Sequence, residues 1–234
     1  MRNNIIQKIF LYIIVFIFSK FTALAIDIKS DFKIDIKKDV YDSLHLDSLG
    51  LTKKAYQDAI SGYNYLIQIG KIKNDNIISI VDFNLPSFKK RLFIIDIKNY
   101  KLLFNTYVSH GRNSGKIYAV NFSNSPQSYK SSLGFYITSD TYNGHHGYSL
   151  RLEGIEQDIN TNLYKRNIVI HSSNYVSNAF IKENGYSGRS EGCLAIPTNI
   201  YVDIINTIKL GSCIFVYKDD KYYYTHSSII NHNL

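Results

Sequence analysis

The stretch that decides the fold is residues 185–197, GYSGRSEGCLAIP, a glycine- and serine-rich turn that runs into a short apolar segment and ends at a proline. Cys193 lies in this turn and is one of two cysteines in the 234-residue chain. The other, Cys213, lies in the apolar segment GSCIFVYK, where a thiol acts as a small hydrophobic side chain. We therefore expect different roles for the two thiols. A disulfide between them is the alternative in an oxidising compartment.

The first 25 residues predict a secretory signal peptide. Arg2 and Lys8 supply the positive start, an apolar run covers 9–18, and Ala-Leu-Ala at 23–25 is a small-x-small cleavage site. The alternative, an uncleaved membrane anchor, needs about 20 apolar residues, more than this run contains. No cysteine follows the run, which argues against a lipoprotein. The sequence thus predicts an exported protein of the periplasm or cell envelope, without a permanent membrane span after cleavage.

The charge of the chain restricts its partners. The formal net charge of +8 becomes +5 for residues 26–234, because the signal peptide carries three basic residues and no acidic ones. A basic exported protein suits an anionic envelope polymer or a membrane surface. The basic residues are scattered, with no arginine-rich helix and no basic patch interleaved with aromatic residues. Nucleic acid is therefore not expected as a partner.

Most of the remaining chain predicts short strands with a few helices. Apolar residues at helical spacing over 38–70, with Thr52 as N-cap and Gly70 as a stop, predict one or two helices. Further helices are predicted around 176–184 and over 198–209. Runs rich in β-branched and aromatic residues predict strands at 77–83, 91–97, 101–111, 133–140, 148–154, 167–172 and 212–218. The pattern predicts a β-rich α+β fold, a mixed sheet or barrel-like sandwich with a few flanking helices.

These elements suggest a division of the chain into four parts. The signal peptide at 1–25 is followed by an N-terminal leader and helical segment at 26–75, a catalytic domain at 76–220 and a C-terminal tail at 221–234. Within the catalytic domain, the Gly-, Asn- and Ser-rich segment 112–132 predicts a loop beside a binding cleft.

A cysteine nucleophile needs a base that makes the thiolate and donors for the oxyanion formed on the attacked carbonyl. His171 ends the apolar strand predicted at 167–172, and Cys193 follows 22 residues later, across a predicted helix. Gly192 leaves room for a substrate backbone, and the amides around Gly192 and Cys193 are the expected oxyanion donors. On spacing alone this is a weak signal, because most histidines of exported proteins are surface or core residues.

The longer string from 171 to 197, HSSNYV…FIKENGYSGRSEGCLAIP, resembles the catalytic signature of the L,D-transpeptidase (YkuD-like) family. It is most similar to the branch of murein L,D-transpeptidase catalytic domain proteins. The resemblance extends upstream through IVDFNLPSFKKRLFIIDI, SHGRNSG, FSNSPQSYKSSLGFYIT and GYSLRLEG. It implies that Cys193 is the nucleophile, that His171 is its base and that the carbonyl of Ser172 orients the imidazole. Gly192 and the substrate-binding Ser190 complete the S-x-G-C turn.

The chain departs from the better-known branch of that family at two positions. That branch has a histidine between the serine and glycine of the turn and an arginine two places after the cysteine, where this chain has Glu191 and Ala195. Arg189 is the substitute that we expect to bind a substrate carboxylate, the alternative being a solvated surface charge. The resemblance also implies that His110 and Arg112, in SHGRNSG, line the cleft, the alternative being a solvated turn.

The segment GHHG at 144–147 suggests zinc, but adjacent histidines point apart on a strand and no suitably spaced acidic ligand follows. We expect neither a metal nor a cofactor, because nucleophile, base and oxyanion donors are all protein groups.

The resemblance implies a peptidoglycan L,D-transpeptidase whose partners are donor and acceptor stem peptides. The thiolate would acylate at the L-centre of the third stem residue, release the terminal D-amino acid and form a 3→3 cross-link. A carbapenem is expected to modify the cysteine covalently. One alternative is hydrolysis of the same thioester by an L,D-carboxypeptidase or endopeptidase. The other is a non-catalytic wall-binding protein on the same fold, against which the retained His171, Ser190, Gly192 and Cys193 argue.

Overall fold

The computed structural model describes residues 36–232, with side chains from Val40 onward. The predicted signal peptide at 1–25 and the leader up to residue 35 lie outside these residues. Residues 40–232 belong to one compact unit. Within the described part of the chain, no helix is both long enough and apolar enough to cross a membrane.

Two helices occupy the segment in which one or two were predicted. Helix α1 spans Ile36–Ser43 and α2 spans Lys53–Gln68. Thr52 caps α2 as predicted, because its hydroxyl accepts a hydrogen bond from an amide of the first turn at 3.4 Å. The helix packs closely on the sheet at Gly62, where any Cβ would overlap the ring of Phe135. Only glycine allows this approach.

Eight strands form one mixed sheet. They are β1 Ile77–Asp82, β2 Leu92–Asp96, β3 Lys101–Thr106, β4 Gly134–Gly144, β5 Gly147–Gly154, β6 Val169–Ser172, β7 Leu194–Ile196 and β8 Cys213–Tyr217. Their order is β3-β2-β1-β8-β4-β5-β6-β7. The β1–β8 and β6–β7 pairs are parallel and the other pairs are antiparallel. All strands except the three-residue β7 were predicted to within a few residues.

The core lies around β8, at the centre of the sheet between β1 and β4. All five of its residues are buried, as the apolar run Ile214–Val216 predicted. The rings of Phe135 and Phe215 stack across the β4–β8 pair with centroids 4.3 Å apart. A strand with apolar side chains on both faces needs other elements packed against both faces of the sheet, and α2 is one of these elements.

The two edges of the sheet meet, so the sheet is nearly closed. The predicted strand 101–111 ends as β3 at Thr106, and the chain that follows runs along β7 and the turn before it. There the amide of Ser109 donates to the carbonyl of Ala195 at 2.9 Å, and Gly111 forms a parallel bridge with Ser190. The prediction of a β-rich fold with a mixed, barrel-like sheet is confirmed.

The remaining helices lie between and after the last strands. Helix α3 spans Asn178–Asn184 and connects β6 to β7; it ends at Gly185, whose φ of 78° is left-handed, as the predicted stop requires. Helix α4 spans Tyr201–Ile208 and connects β7 to β8. Helix α5, Lys221–His226, lies in the segment expected to be the C-terminal tail. No pattern in the sequence predicted α5.

Candidate active site

The parallel pair β6–β7 places the predicted nucleophile and base at nearby register positions. His171 lies opposite Ala195 in the register, and Cys193 precedes Ala195 by two residues. Because successive side chains of a strand point to opposite faces, residues two apart share a face. Extended one residue before β7, which begins at Leu194, this alternation places Cys193 on the side of the sheet that carries His171, two register positions away. The amide of Val169, two residues before His171, lowers the pKa of the Cys193 thiol.

The imidazole of His171 is oriented by the next residue. Its side chain is 2% exposed, and Nδ1 lies 2.9 Å from the carbonyl oxygen of Ser172. A carbonyl only accepts, so Nδ1 donates and carries the proton. The lone pair of the neutral ring is then on Nε2, which has no hydrogen-bond partner among residues 36–232. Such a nitrogen can accept a proton from a neighbouring thiol.

The pKa of His171 is lowered from its ordinary value, chiefly because burial disfavours the charged imidazolium. The hydrogen bond to Ser172 acts in the opposite direction, and the nearby imidazole of His146 lowers the pKa further. At neutral pH the ring is therefore uncharged and able to act as a base.

The thiol of Cys193 is half-buried and its sulfur lies 3.6 Å from the carbonyl oxygen of Asn167. Burial is the largest influence on its pKa and raises it. The amide of Val169 and the positive charge of Arg166 lower that pKa, while the carboxylate of Glu191 raises it. With a raised pKa the sulfur is a thiol at neutral pH, so it needs a base to become a nucleophile.

Cys213 is in a different position. It lies in β8 between β1 and β4, fully buried, and burial raises its pKa far above that of an ordinary thiol. Both cysteines are unpaired, so the disulfide alternative is not supported by the structure.

Ser190 closes the turn that carries Cys193. Its hydroxyl donates to the carbonyl of Cys193 at 2.7 Å and accepts from the amide of Gly192 at 3.1 Å. The buried hydroxyl is thus used within the turn, while substrate binding by Ser190 stays a prediction. This use changes the expectation for the oxyanion, because the amide of Gly192 already has an acceptor.

Gly192 occupies a position that excludes every other residue. Its φ is 122°, and a Cβ there would lie 2.8 Å from the carbonyl oxygen of Lys130 and 2.9 Å from Cδ1 of Ile168. Both the backbone conformation and the space require glycine. The turn therefore presses against the loop that was predicted at 112–132.

Arg166 holds that loop in place and was not identified from the sequence. Its Nη1 donates to the carbonyl of Ser123 at 2.6 Å and to the hydroxyl of Ser132 at 2.7 Å, and its Nη2 donates to the carbonyl of Lys130 at 2.5 Å. The same guanidinium supplies the positive charge felt by Cys193. The only sequence signal for it is an arginine just before the strand NIVIHS.

Arg189 and Arg112 lie at the surface beside the turn. Nη1 of Arg189 is 3.2 Å from the carbonyl oxygens of both Arg112 and Gly115, which fixes the side chain on the rim. Arg112 forms an exposed ion pair with Glu191, with Nη2 and Oε1 3.5 Å apart, and lies over the ring of Tyr129. The two arginines make a basic edge next to Cys193.

His110 is placed in the interior, which corrects the expectation that it lines the cleft. Its side chain is fully buried, its Nδ1 is 2.8 Å from Nη2 of Arg91, and its Nε2 is 3.2 Å from the carbonyl oxygen of Gly115. Arginine only donates, so Nδ1 accepts and Nε2 carries the proton. Burial, together with the charge of Arg91, lowers the pKa of His110 to about 3. Both nitrogens are used, and His110 has a structural role.

The histidines of GHHG lie at the turn between β4 and β5. His146 stacks on His171, with ring centroids 4.1 Å apart and 17° between the planes, while His145 meets His146 edge-on. Among residues 36–232, no group of three or more His, Cys, Asp or Glu side chains is placed to hold a metal ion.

The fold is a nearly closed mixed sheet with a histidine on β6 and a cysteine just before the parallel strand β7. The family model for the L,D-transpeptidase catalytic domain matches residues 48–217, well over half of the chain. The chain belongs to this family. No curated protein sequence matches it.

Solved structures with a similar fold are L,D-transpeptidases and a cell-shape protein. The helical cell shape determining protein Pgp2 from Campylobacter jejuni has a TM-score of 0.43 at 11% identity over 75% of this chain and 62% of its own. An L,D-transpeptidase from Stackebrandtia nassauensis has a TM-score of 0.39 at 12% identity over 72% and 68%. One from Mycobacterium smegmatis has a TM-score of 0.39 at 10% identity, and the match covers 61% of this chain but only 59% of that one.

Proposed function

We propose that the protein is an exported cysteine acyltransferase that acts on peptidoglycan stem peptides as an L,D-transpeptidase. The observation that carries the proposal is the arrangement on β6 and β7. His171 has Nδ1 committed to Ser172 and Nε2 free, on the same face of the sheet as a half-buried thiol. Membership of the L,D-transpeptidase catalytic domain family supplies the substrate class.

In the first half of the reaction, Nε2 of His171 accepts the proton of Cys193. The thiolate attacks the carbonyl carbon at the L-centre of the third stem residue, and an oxyanion forms. We assign the amide of Cys193 as an oxyanion donor, since the amide of Gly192 is used within the turn. The C–N bond then breaks, His171 returns the proton to the departing amine, and the terminal D-amino acid leaves. The product is a thioester on Cys193.

In the second half, an amine of another stem peptide attacks the thioester. His171 accepts a proton from the attacking amine, the C–S bond breaks, and the sulfur recovers the proton. The result is a 3→3 cross-link and a free thiol. Attack by water instead gives hydrolysis, so access of amine or water to the thioester decides between transpeptidase and carboxypeptidase.

Charge near the site fits an anionic polymer. Arg189 and Arg112 form a basic edge beside the turn, and stem peptides carry carboxylates that a guanidinium can bind in a bidentate fork. Both arginines are exposed, so we assign them to substrate capture and encounter more than to tight binding. The net charge of +5 on residues 26–234 acts in the same direction.

The test is incubation of the purified chain with muropeptide tetrapeptides, followed by mass spectrometry of the products. Dimers with 3→3 links are expected, and tripeptides alone would establish a carboxypeptidase instead. Cys193→Ala is expected to abolish both products. Cys213→Ala is the matched control, because it removes the other thiol from a site in the core. A Cys193→Ala protein with unchanged activity would refute the mechanism.

A second measurement does not need the natural substrate. A carbapenem carries a strained amide whose carbonyl a thiolate can attack, so we expect one covalent adduct per chain by intact mass. Peptide mapping should place the adduct on Cys193 and leave Cys213 unmodified. An adduct on Cys213, or none at all, would contradict the assignment of the nucleophile.

A further inference from the structure

His146 is the residue next to the candidate site whose presence the proposed chemistry does not explain. It lies at the tip of the β4–β5 hairpin, in the two-residue connection between Gly144 and Gly147. Its ring lies almost parallel to that of His171, with centroids 4.1 Å apart. The distance and angle are those of a stacked aromatic pair in full contact.

The topology of the sheet explains how a hairpin tip reaches this position. Strand β5 pairs antiparallel with β6, with Leu150 opposite Ile170. Residues that precede Leu150 in β5 therefore run alongside the end of β6, where His171 lies. The tip projects beyond that end and places His146 over His171. The contact follows from register, so it does not depend on a long flexible loop.

The two rings differ in burial, and His146 lies between the His171 ring and solvent. His146 is exposed, whereas His171 is 2% exposed. One face of the His171 ring is thus covered by a second imidazole. The ring of His171 is fixed at one nitrogen by Ser172 and on one face by His146. Together these contacts restrict rotation of the His171 ring.

We propose that His146 is a positioning residue for the base, which holds the His171 imidazole in its productive orientation and shields it from water. The inference rests on the proposed function for its consequence in catalysis, but the contact between the two rings is independent of any substrate. Aromatic pairs contribute beyond their area of contact, so loss of the stack should have a measurable effect.

A charge effect accompanies the stack. His146 is one of the causes that lower the pKa of His171, because a second imidazolium beside the first is disfavoured. Other ionisable groups act on the neighbouring sulfur: Arg166 lowers the pKa of Cys193 and Glu191 raises it. Tyr175 is also near Cys193, and its own pKa is raised, chiefly by burial.

Three variants separate position from charge. His146→Ala removes both the stack and the imidazole, and His146→Phe keeps an aromatic ring without a titratable group. His145→Ala is the matched control, because His145 is the adjacent exposed histidine of the same turn and contacts His146 edge-on. All three changes are at exposed positions, so the fold should be retained.

The readouts are the His171 pKa from NMR titration of its ring protons, the rate of Cys193 alkylation by iodoacetamide, and kcat as a function of pH. In His146→Ala we expect the pKa of His171 to rise and the acidic limb of the pH profile to move to higher pH. We expect kcat on the plateau to fall about threefold to tenfold. His146→Phe should recover most of kcat while the acidic limb stays shifted. His145→Ala should match the wild type.

The proposal is overturned if His146→Ala behaves as His145→Ala does in the NMR titration and in the alkylation rate. It is also overturned if His146→Phe is as impaired as His146→Ala, since a stacked ring would then have no positioning effect. The NMR and alkylation readouts use no muropeptide. If the wild type fails to convert muropeptides but the His171 titration still depends on His146, the proposed function fails and this inference stands.

Discussion

The region around His110 and the region around His171 look alike in sequence and differ in structure. Each histidine follows an apolar run, one in TYVSHG and the other in NIVIHS. His110 accepts from Arg91 and donates to Gly115, which uses both nitrogens. His171 donates to Ser172 through Nδ1 and keeps Nε2 free. The comparison teaches that a ring nitrogen without a hydrogen-bond partner among residues 36–232, and not the position after a strand, distinguishes a candidate base from a structural histidine.

The largest difference between the two regions should appear in the rate of reaction. We expect His171→Ala to reduce kcat about 10²–10⁴-fold, because a general base contributes that much. Because His171 is itself buried, the variant should also lose some stability, so circular dichroism must show that it is folded at the assay temperature. In the wild type, kcat should fall with pH along an acidic limb below about 6.5, because His171 must be neutral and its pKa is lowered. If His171→Ala kept kcat within about threefold of the wild type, His171 would not be the base, and the distinction from His110 would fail.

For His110 the expected effect is on stability. His110→Ala leaves Nη2 of Arg91 without this acceptor and opens a cavity in the interior, so we expect a loss of about 2–4 kcal/mol in the free energy of unfolding. Urea unfolding followed by fluorescence measures this loss. The folded fraction should keep its kcat. An unchanged urea midpoint would show that the buried contact with Arg91 contributes nothing.

The same histidine makes stability depend on pH. The pKa of His110 is about 3 in the folded protein and about 6.5 in the unfolded chain, so between these values the unfolded state binds more protons. Stability should therefore decrease as the pH falls below about 6.5. The slope should be smaller in His110→Gln, which keeps polar atoms in place but does not titrate.

Arg91 contacts His110 directly, whereas Arg166 acts on the thiol of Cys193. Arg166 lowers the pKa of Cys193, so we expect Arg166→Gln to slow alkylation of Cys193 at pH 7 about threefold to tenfold. Arg166→Lys keeps the positive charge but loses the hydrogen bonds of the guanidinium to the loop at 112–132. Its free energy of unfolding should therefore decrease more than the reactivity of Cys193 does. Equal alkylation rates in Arg166→Gln and the wild type would show that the charge does not reach the sulfur.

The smallest effect is expected at Glu191, on the exposed side of the same turn. Its carboxylate raises the pKa of Cys193, so Glu191→Gln should speed alkylation at neutral pH by less than about twofold. The difference should vanish in high salt, because both Glu191 and its partner Arg112 are exposed. A slower reaction in Glu191→Gln would reverse the sign and contradict this electrostatic description of the turn.

The fold was largely predictable because its signals are local. β-Branched and aromatic runs predicted seven of the eight strands, and Thr52 and Gly185 marked the ends of helices. β7 was missed because three residues carry too little periodicity, and its pairing with β6 depends on closure of the sheet. The end of the predicted strand 101–111 was wrong for a related reason, since residues after Thr106 join the opposite edge.

The site was predictable only in part because its remaining features join distant segments. Cys193 and His171 lie in one sequence motif. A single crossover connects the parallel strands β6 and β7, at which the two residues lie. Arg91 lies 19 residues before His110, and nothing in the local pattern indicates that the two meet in the interior. His146 is 25 residues before His171, and its contact depends on the register between β5 and β6.

Closure of the sheet also has a consequence for the order of folding. Ser109 and Ala195, whose contacts join the two edges, are 86 residues apart, and contacts of such long range form late because loop closure costs entropy. The turn that carries Cys193 is part of this seam. We therefore expect the reactive thiol to be assembled in the last step of folding. A chain that has not yet closed its sheet carries two ordinary thiols, and the appearance of fast alkylation in a refolding experiment marks its completion.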